Sequence, residues 1–372
     1  MPGVRVDSWV LMPSSVEVAG VTWQAFAILC HTGSMPRARS RDGARRRATI
    51  TDVAAAAGVA ASTVSRAFTR PDRVNHRTRE HVLAVAAELG YAPNPAARAL
   101  ESGRTNTLAL LVPDITNPYF SGVIKGAERA AAAAGLTLVL GDTQENPATE
   151  EQLIRRLGPA VDGFVLSASR LPDDELRRAA ELNPIALVNR ATPGLACVVA
   201  DFDTGTRQIV DHLASLGHES LVFLGGPPES WSGARRWAGL RVAAEARGLA
   251  ATRFGPYTPT LGGGPAAADA VLAAGATAVV AHNDMLAIGV MLRLAERGVA
   301  VPDDVSVVGF DNIVGSDFCS PTLTTLAERT EDAGARAVEA VAAQVLSRVD
   351  DPPTRVLPTQ LVVRRSTGVR GG

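Results

Sequence analysis

The chain has 372 residues, 46% of them hydrophobic, with 37 Lys and Arg against 38 Asp and Glu; that length suits two or three domains with sizeable buried cores. Three cysteines, Cys30, Cys197 and Cys319, stand far apart with no CxxC or histidine-spaced grouping, which argues against a disulfide framework or zinc site and fits a reducing cytoplasm. No apolar run reaches the roughly 18 residues of a membrane span.

The near balance of charge hides an asymmetry. Between Pro36 and Arg104 stand 13 Arg against 6 Asp or Glu, while the remainder is acidic and Lys125 is the only lysine. A basic segment on an acidic body is the footprint of a protein that meets phosphates at one end. The first 35 or so residues show no periodicity. Val18 to Cys30 is moderately apolar but follows no basic stretch, so no secretory signal is read there. Residues 1–47 are expected to be a disordered leader and basic arm, with Met35 a candidate start beside Met1.

Thr49-Ile50-Thr51-Asp52 has the pattern of a capping box, followed by Val53, Ala54 and Ala57 at helical spacing and closed by Gly58. A second helix is expected from about Ala61 to Phe68 with Val64, Ala67 and Phe68 inward. A third runs from Asn75 to Leu89 and ends at Gly90. Short helices joined by a tight Gly turn make a helix-turn-helix. Such a helix can lie in the DNA major groove if its outer face carries small polar groups and one long donor. Ser62, Thr63 and Ser65 suit phosphate or base-edge hydrogen bonds, and Arg66 suits a bidentate pair to guanine. The plainer alternative is a solvated surface helix.

From Thr107 the texture changes to short Val- and Leu-rich runs that end in Gly, Asp, Asn or Ser: "TLALLVPD", "LTLVLGD", "VDGFVLSA", "PIALVNR", "SLVFLGG", "TAVVAHND", "DVSVVGFD". Ala-rich helical segments separate many of them. Strands alternating with helices argue parallel sheets covered on both faces, and eight or more strands favour two doubly wound lobes. Ligands of such folds bind beyond the carboxyl ends of the strands. There Asp311 and Arg236 form the best pair for vicinal hydroxyls, Asn283 and Asp284 end "AHND", and Asn189 and Arg190 end "ALVNR". Tyr119, Phe120, Tyr257 and Trp231 are candidate ring-stacking walls. Asp284 could equally cap a helix, Arg236 could be a surface ion-pair partner, and Phe120 could belong to the core. Catalysis finds little support: there is no HxxxH, GxSxG or Walker GxxxxGK[ST], and "LGGG" at 261–264 lacks the preceding strand and spacing of a nucleotide loop. No metal or cofactor is expected.

The stretches "ATITDVAAAAGVAASTVSRAF", "RVNHRTREHVLAVAAELGY" and "PNPAARALESGRTNTLALLVPDITNPYF" together resemble the DNA-binding headpiece of the lactose-repressor (LacI/GalR) family of bacterial transcription regulators. The resemblance implies a headpiece at 48–93, with "TVSR" opening the recognition helix, Ala61 and Ser62 tuning operator choice, and Asn75 among the DNA-facing residues. Ala60 departs from the family's Ser at that position, and Ala61 lacks a base-reading group. Residues 94–104 resemble the family's hinge helix, with Asn94 as N-cap and Pro95 at the first helical position. By resemblance Leu100 is a minor-groove wedge flanked by Ala97 and Arg98; an ordinary linker with a buried Leu is the alternative.

The body, 105–372, is similar to the same family's effector domain, which shares its fold with periplasmic sugar-binding proteins. Its markers are "PDITNPYF", "VDGFVLS", "LGH", "RRWAGL", "HNDMLAIG", "VPDDVSVVGFDN" and "PTLTTL". The resemblance implies two lobes with crossovers near 201, 326 and 355. It also implies a sugar-like effector between them, a homodimer on a pseudo-palindromic operator, and a cytoplasmic, nucleoid-associated repressor. The competing readings are an exported or cytoplasmic sugar-binding receptor without DNA function, and an enzyme on a similar fold.

Overall fold

A computed structural model describes residues 48–92, 103–346 and 353–370, so the expected leader at 1–47 and residues 94–102 of the expected hinge lie outside the described residues. The chain divides into two compact units, one ending at Ala92 and the other beginning at Pro93.

The first unit holds α1 (Ile50–Ala57), α2 (Ala61–Thr69) and α3 (His76–Glu88). Helices of about two to four turns are marginal alone, so local signals set their ends and packing holds them. The capping box forms: Thr49 Oγ1 accepts from the Asp52 N–H at 3.3 Å, and Asp52 Oδ2 accepts from the Thr49 N–H at 2.8 Å. Gly58 ends α1 at φ +64°, a conformation that costs a side chain dearly, and so permits the tight turn into α2. Val53, Val64 and Val82, one from each helix, are fully buried against one another with Ala54, Ala57, Ala67 and Ala86. Burying a Val is worth about 1.5–3 kcal/mol. Phe68, expected inward, packs against this core while remaining half-buried, and lies edge-on to Tyr91 with ring centroids 5.8 Å apart.

The second unit runs in chain order β1 (Thr107–Val112), α4 (Tyr119–Ala133), β2 (Thr137–Asp142), α5 (Pro147–Leu157), β3 (Gly163–Ser167), α6 (Asp173–Leu182), β4 (Ile185–Val188) and β5 (Ala196–Ala200). It then crosses to α7 (Phe202–Ser215), β6 (Ser220–Leu224), α8 (Trp231–Arg247), β7 (Ala250–Phe254), α9 (Gly264–Ala273), β8 (Ala278–Ala281), α10 (Asp284–Glu296), β9 (Ser306–Asp311), α11 (Gly315–Phe318) and β10 (Thr324–Ala327). It returns through α12 (Thr330–Leu346) to β11 (Thr354–Leu357), and ends with β12 (Gln360–Val362). One sheet has the order β11-β5-β4-β3-β1-β2, the other β12-β10-β9-β8-β6-β7. The lobes are thus linked three times: after Ala200, between Ala327 and Thr330, and between Leu357 and Gln360.

The period of two along each strand makes two cores per sheet. Ala109, Leu111, Phe164, Leu166, Ile185 and Leu187 face α5 and α6, while Leu108, Leu110, Val165, Ala186 and Val188 face α4 and α12. In the second lobe Leu224, Val279 and Val307 pack under α9 and α10, and Phe223, Val280 and Phe310 under α7 and α8. One detail corrects the expected pair of wholly parallel sheets: β12 is antiparallel to β10. The short link from β11 enters the second lobe beside the end of β10, with Gln360 opposite Ala327, so β12 runs back along β10. The "LGGG" run forms a short 3-10 turn at Leu261–Gly263 leading into α9. Among the described residues no helix is long and apolar enough to cross a membrane.

Candidate functional site

In the first unit, α2 presents Ser62 and Arg66, both exposed and one turn apart, on the side opposite buried Val64 and Ala67. Ala61, Thr63 and Ser65 are half-buried at the margins of that face. Ala60 is the N-cap and gives no side-chain hydrogen bond, a loss of about 1 kcal/mol against a Ser cap. The Asn75 side chain is itself a cap: Oδ1 accepts from the Arg77 N–H at 3.0 Å, fixing the start of α3. Its amide remains on an exposed residue, but the oxygen is committed to the fold. Ala97, Arg98 and Leu100 lie outside the described residues.

In the second unit the segments after β1, β2, β3, β4, β6, β7 and β8 and the end of β9 meet at a small cavity between the lobes. The first lobe contributes Asn117, Tyr119, Phe120, Glu145, Ala168, Arg170 and Asn189; the second contributes Ser230, Ser232, Arg236, Pro259, His282, Asn283 and Asp311. Four lining residues, Glu145, Ala168, Asn189 and Asp311, have positive φ (55°, 48°, 57° and 108°) although none is glycine. Such strain persists where surrounding structure over-determines a functional geometry. The cavity measures only about 40 Å³, room for a few waters and far below the roughly 300 Å³ of a small-molecule site. The cleft is closed.

A buried ion cluster closes it. Arg236 donates Nη2 to Asp311 Oδ1 at 3.0 Å and to Glu328 Oε1 at 2.8 Å, and Nη1 to the His282 carbonyl at 2.6 Å. Its guanidinium lies 4.6 Å from the Phe310 ring centre and 5.1 Å from that of Phe202, a favourable seat for a planar cation. The other oxygen of Glu328 accepts from the Tyr119 hydroxyl at 3.0 Å and from Asn189 Nδ2 at 3.2 Å. Glu328 sits on the crossover from β10 to α12, so one carboxylate joins both lobes. Burial would lower the Arg236 pKa, but Asp311 and Glu328 outweigh it and hold the guanidinium charged. Burial raises Asp311 well above the usual carboxylate range; Glu328 and Asp284 add to the rise against Arg236. Burial, with Glu328 and Asp311, lifts the Tyr119 phenol well above 10. His282 is kept neutral, its pKa pushed well down by burial and by the charges of Arg236, Arg170 and Arg253.

Several of the residues expected to meet the effector stand away from the cavity. Asp284 is fully buried in the second lobe: Oδ1 accepts from the Thr325 hydroxyl at 2.5 Å, and Oδ2 from the Ser316 hydroxyl at 2.6 Å and the Ile313 N–H at 3.0 Å. A side chain on Gly309 would collide with it, so this carboxylate is a core strut. Arg190 donates to the Ser169 carbonyl at 3.0 Å and to Asp173 Oδ1 at 2.7 Å, tying the loop after β3 to α6. Trp231 and Tyr257 are half-buried against the apolar cores of the second lobe. Asn283 does line the cavity, yet it caps α10 through the Leu286 N–H and donates to the Pro259 carbonyl. Arg236 is no surface partner; with Asp311, Tyr119, Phe120 and Asn189 it is where the strand-end reasoning put it.

Glu328, His282, Glu145 and Arg170 were missed. Arg170 pairs with Glu145 at 2.7 Å across two loops. A sequence signal existed only for His282, which sits beside Asn283 at a strand end. Among the described residues no group of three His, Cys, Asp or Glu is placed to hold a metal.

Comparison with known proteins matches residues 49–94 to the family of bacterial regulatory proteins, lacI family, and residues 210–367 to a periplasmic binding protein-like domain. The chain is 32% identical over 328 residues to the HTH-type transcriptional repressor CytR of Escherichia coli (strain K12), covering 86% of this chain and 96% of that protein. It superposes on the lac repressor dimer bound to operator and the anti-inducer ONPF with a TM-score of 0.78 at 26% identity, covering 87% of this chain and all of that one. It also superposes on the transcriptional regulator CelR in its cellobiose complex with a TM-score of 0.64 at 29% identity, covering 86% and 100%. The chain therefore belongs to the lacI family of bacterial regulatory proteins, and is a DNA-binding transcriptional regulator rather than an enzyme.

Proposed function

We propose that the chain is a cytoplasmic repressor that binds a pseudo-palindromic operator as a homodimer and is controlled by a small polyol or sugar admitted to the interlobe cleft. The observation that supports it most is the closed cleft with Glu328 bonded to both lobes from a crossover. An effector that enters must part the lobes and break those bonds, so its binding and the lobe angle are linked. Similarity to the cellobiose-bound CelR favours a sugar.

On the DNA side Ser62 and Arg66 carry the direct readout. Arg66→Ala is expected to weaken operator binding about 5- to 150-fold, the worth of one bidentate base contact at about 1–3 kcal/mol, while affinity for random duplex changes far less. Fluorescence anisotropy of the full chain on its upstream intergenic DNA and on a scrambled duplex, at physiological salt, reads the difference. Equal losses on both would remove Arg66 from sequence recognition.

For pairing, the second lobe offers an apolar groove of about 530 Å³ lined by Met285, Ile288, Leu292, Val314 and Phe318, with Phe318 76% and Val314 72% exposed. A second copy of this chain is the occupant that similarity to the lac repressor dimer supports. Phe318→Glu would bury an unpaired charge there and is expected to turn the dimer into a monomer at micromolar concentration by sedimentation. A dimer that persists unchanged places the interface elsewhere.

A further inference from the structure

We propose that the cleft is selective for an effector carrying a protonated nitrogen, an amino sugar or a polyol amine, and that Glu328 sets this preference. The proposal rests on the effector-cleft reading above and deepens it.

The cations of the site are committed. Arg236 uses both terminal nitrogens on Asp311, Glu328 and the His282 carbonyl, leaving only a buried Nε without a partner. Arg170 presents Nε and Nη2 to Glu145 Oε2, at 2.8 and 2.7 Å. His282 brings no charge. A phosphorylated or carboxylated effector would therefore meet guanidinium groups already paired with carboxylates, and would face Asp311 and Glu145 on the cavity wall.

Negative charge is in excess. Around Arg236, whose side chain is 3% exposed, stand the carboxylates of Asp311 and Glu328 at 5% and 4%. One guanidinium cannot compensate two buried carboxylates. The remaining one must take up a proton or find a second cation. Without Glu328 the pair Arg236–Asp311 would balance, so the surplus is set by that residue. Asp311 is the member that lines the cavity, and Phe120 lines it too, buried and edge-on to Tyr119 with centroids 5.0 Å apart. An ammonium group placed there would meet a carboxylate and an aromatic ring, both of which favour a desolvated cation. Burial raises the Asp311 pKa well above the usual carboxylate range, and an arriving cation would favour its ionised form.

The test is calorimetric titration and thermal shift of the full chain at neutral pH. The probes are D-glucosamine, D-galactosamine and D-mannosamine, each beside its neutral parent, its N-acetyl derivative and its 6-phosphate. At least one free amine is expected to bind tenfold or more tightly than its three matched relatives. In Glu328→Gln, which keeps the shape and removes the charge, that advantage should shrink to about threefold or less. A neutral, acetylated or phosphorylated member that binds as tightly as its amine overturns the proposal, as does silence of all three amines. So does an unchanged amine preference in Glu328→Gln. Operator binding by the wild-type chain, measured alongside, tests the regulator reading separately.

Discussion

Arg236→Ala is expected to destabilise the two-lobed unit by about 3–5 kcal/mol at neutral pH, the cost of leaving a buried charge without its partner. For a unit of this size that corresponds to a fall of roughly 10 °C in the melting midpoint. The guanidinium is the sole cation in contact with Asp311 and Glu328 among the described residues, and it also fills the space over Phe202 and Phe310. Arg236→Lys is expected to recover little, since one ammonium cannot reproduce a planar fork that serves two carboxylates and a carbonyl at once. The variant's deficit should narrow as pH falls, because the pKa of Asp311 is raised by burial and protonating it removes uncompensated charge. Urea denaturation of wild type and variant at pH 5 and pH 7.5 checks both points. A loss below about 1 kcal/mol would mean that water reaches the cluster and the cleft is not closed.

Asp284→Ala is the second large effect. It strands the Thr325 and Ser316 hydroxyls and the Ile313 N–H inside the second lobe, each at about 1–3 kcal/mol if no water replaces the carboxylate. A total near 3–5 kcal/mol is expected. The pH dependence has a definite sign. Burial pushes Asp284 up to about 6, against the hydrogen bonds from Ser316, Thr325 and Ile313 and the charge of Arg236. With its native pKa above the unfolded value, the native state binds more protons between about pH 4 and pH 6. The stability from this group is therefore fully present below the unfolded pKa and is lost as pH rises through about 6. The variant's deficit should be larger at pH 5 than at pH 7.5 by about 1–1.5 kcal/mol. The same denaturation series reads it, and a deficit that grows with pH would show that the carboxylate ionises freely in the core.

The chain announces these two side chains very differently. Arg236 and Asp311 can be paired from the sequence because one ends a strand and the other lies on the first turns of a helix in the same lobe. What cannot be read is that they spend their polar groups on each other and on Glu328. Asp284 shows the opposite failure. An Asp directly after "AHN" suggests a ligand group or a cap, yet the first turn of α10 points it into the lobe, where Gly309 leaves room and Thr325 and Ser316 supply donors. Trp231 and Tyr257 stand apart from the cavity lining for a similar reason: an aromatic near a strand end packs on whichever core is nearer.

By itself the sequence determined what depends on near neighbours along the chain. The capping box at Thr49–Asp52, the left-handed turn at Gly58 and the alternation of apolar residues in each strand act within a few residues, so helix ends, strand faces and the two-lobed architecture were readable. The tertiary structure alone decided what depends on where distant segments land. Glu328 stands on a crossover, 92 positions from Arg236 and 209 from Tyr119 along the chain, with no local pattern to mark it. The charge balance of a buried site is a property of all its members together, and only folding brings them within reach.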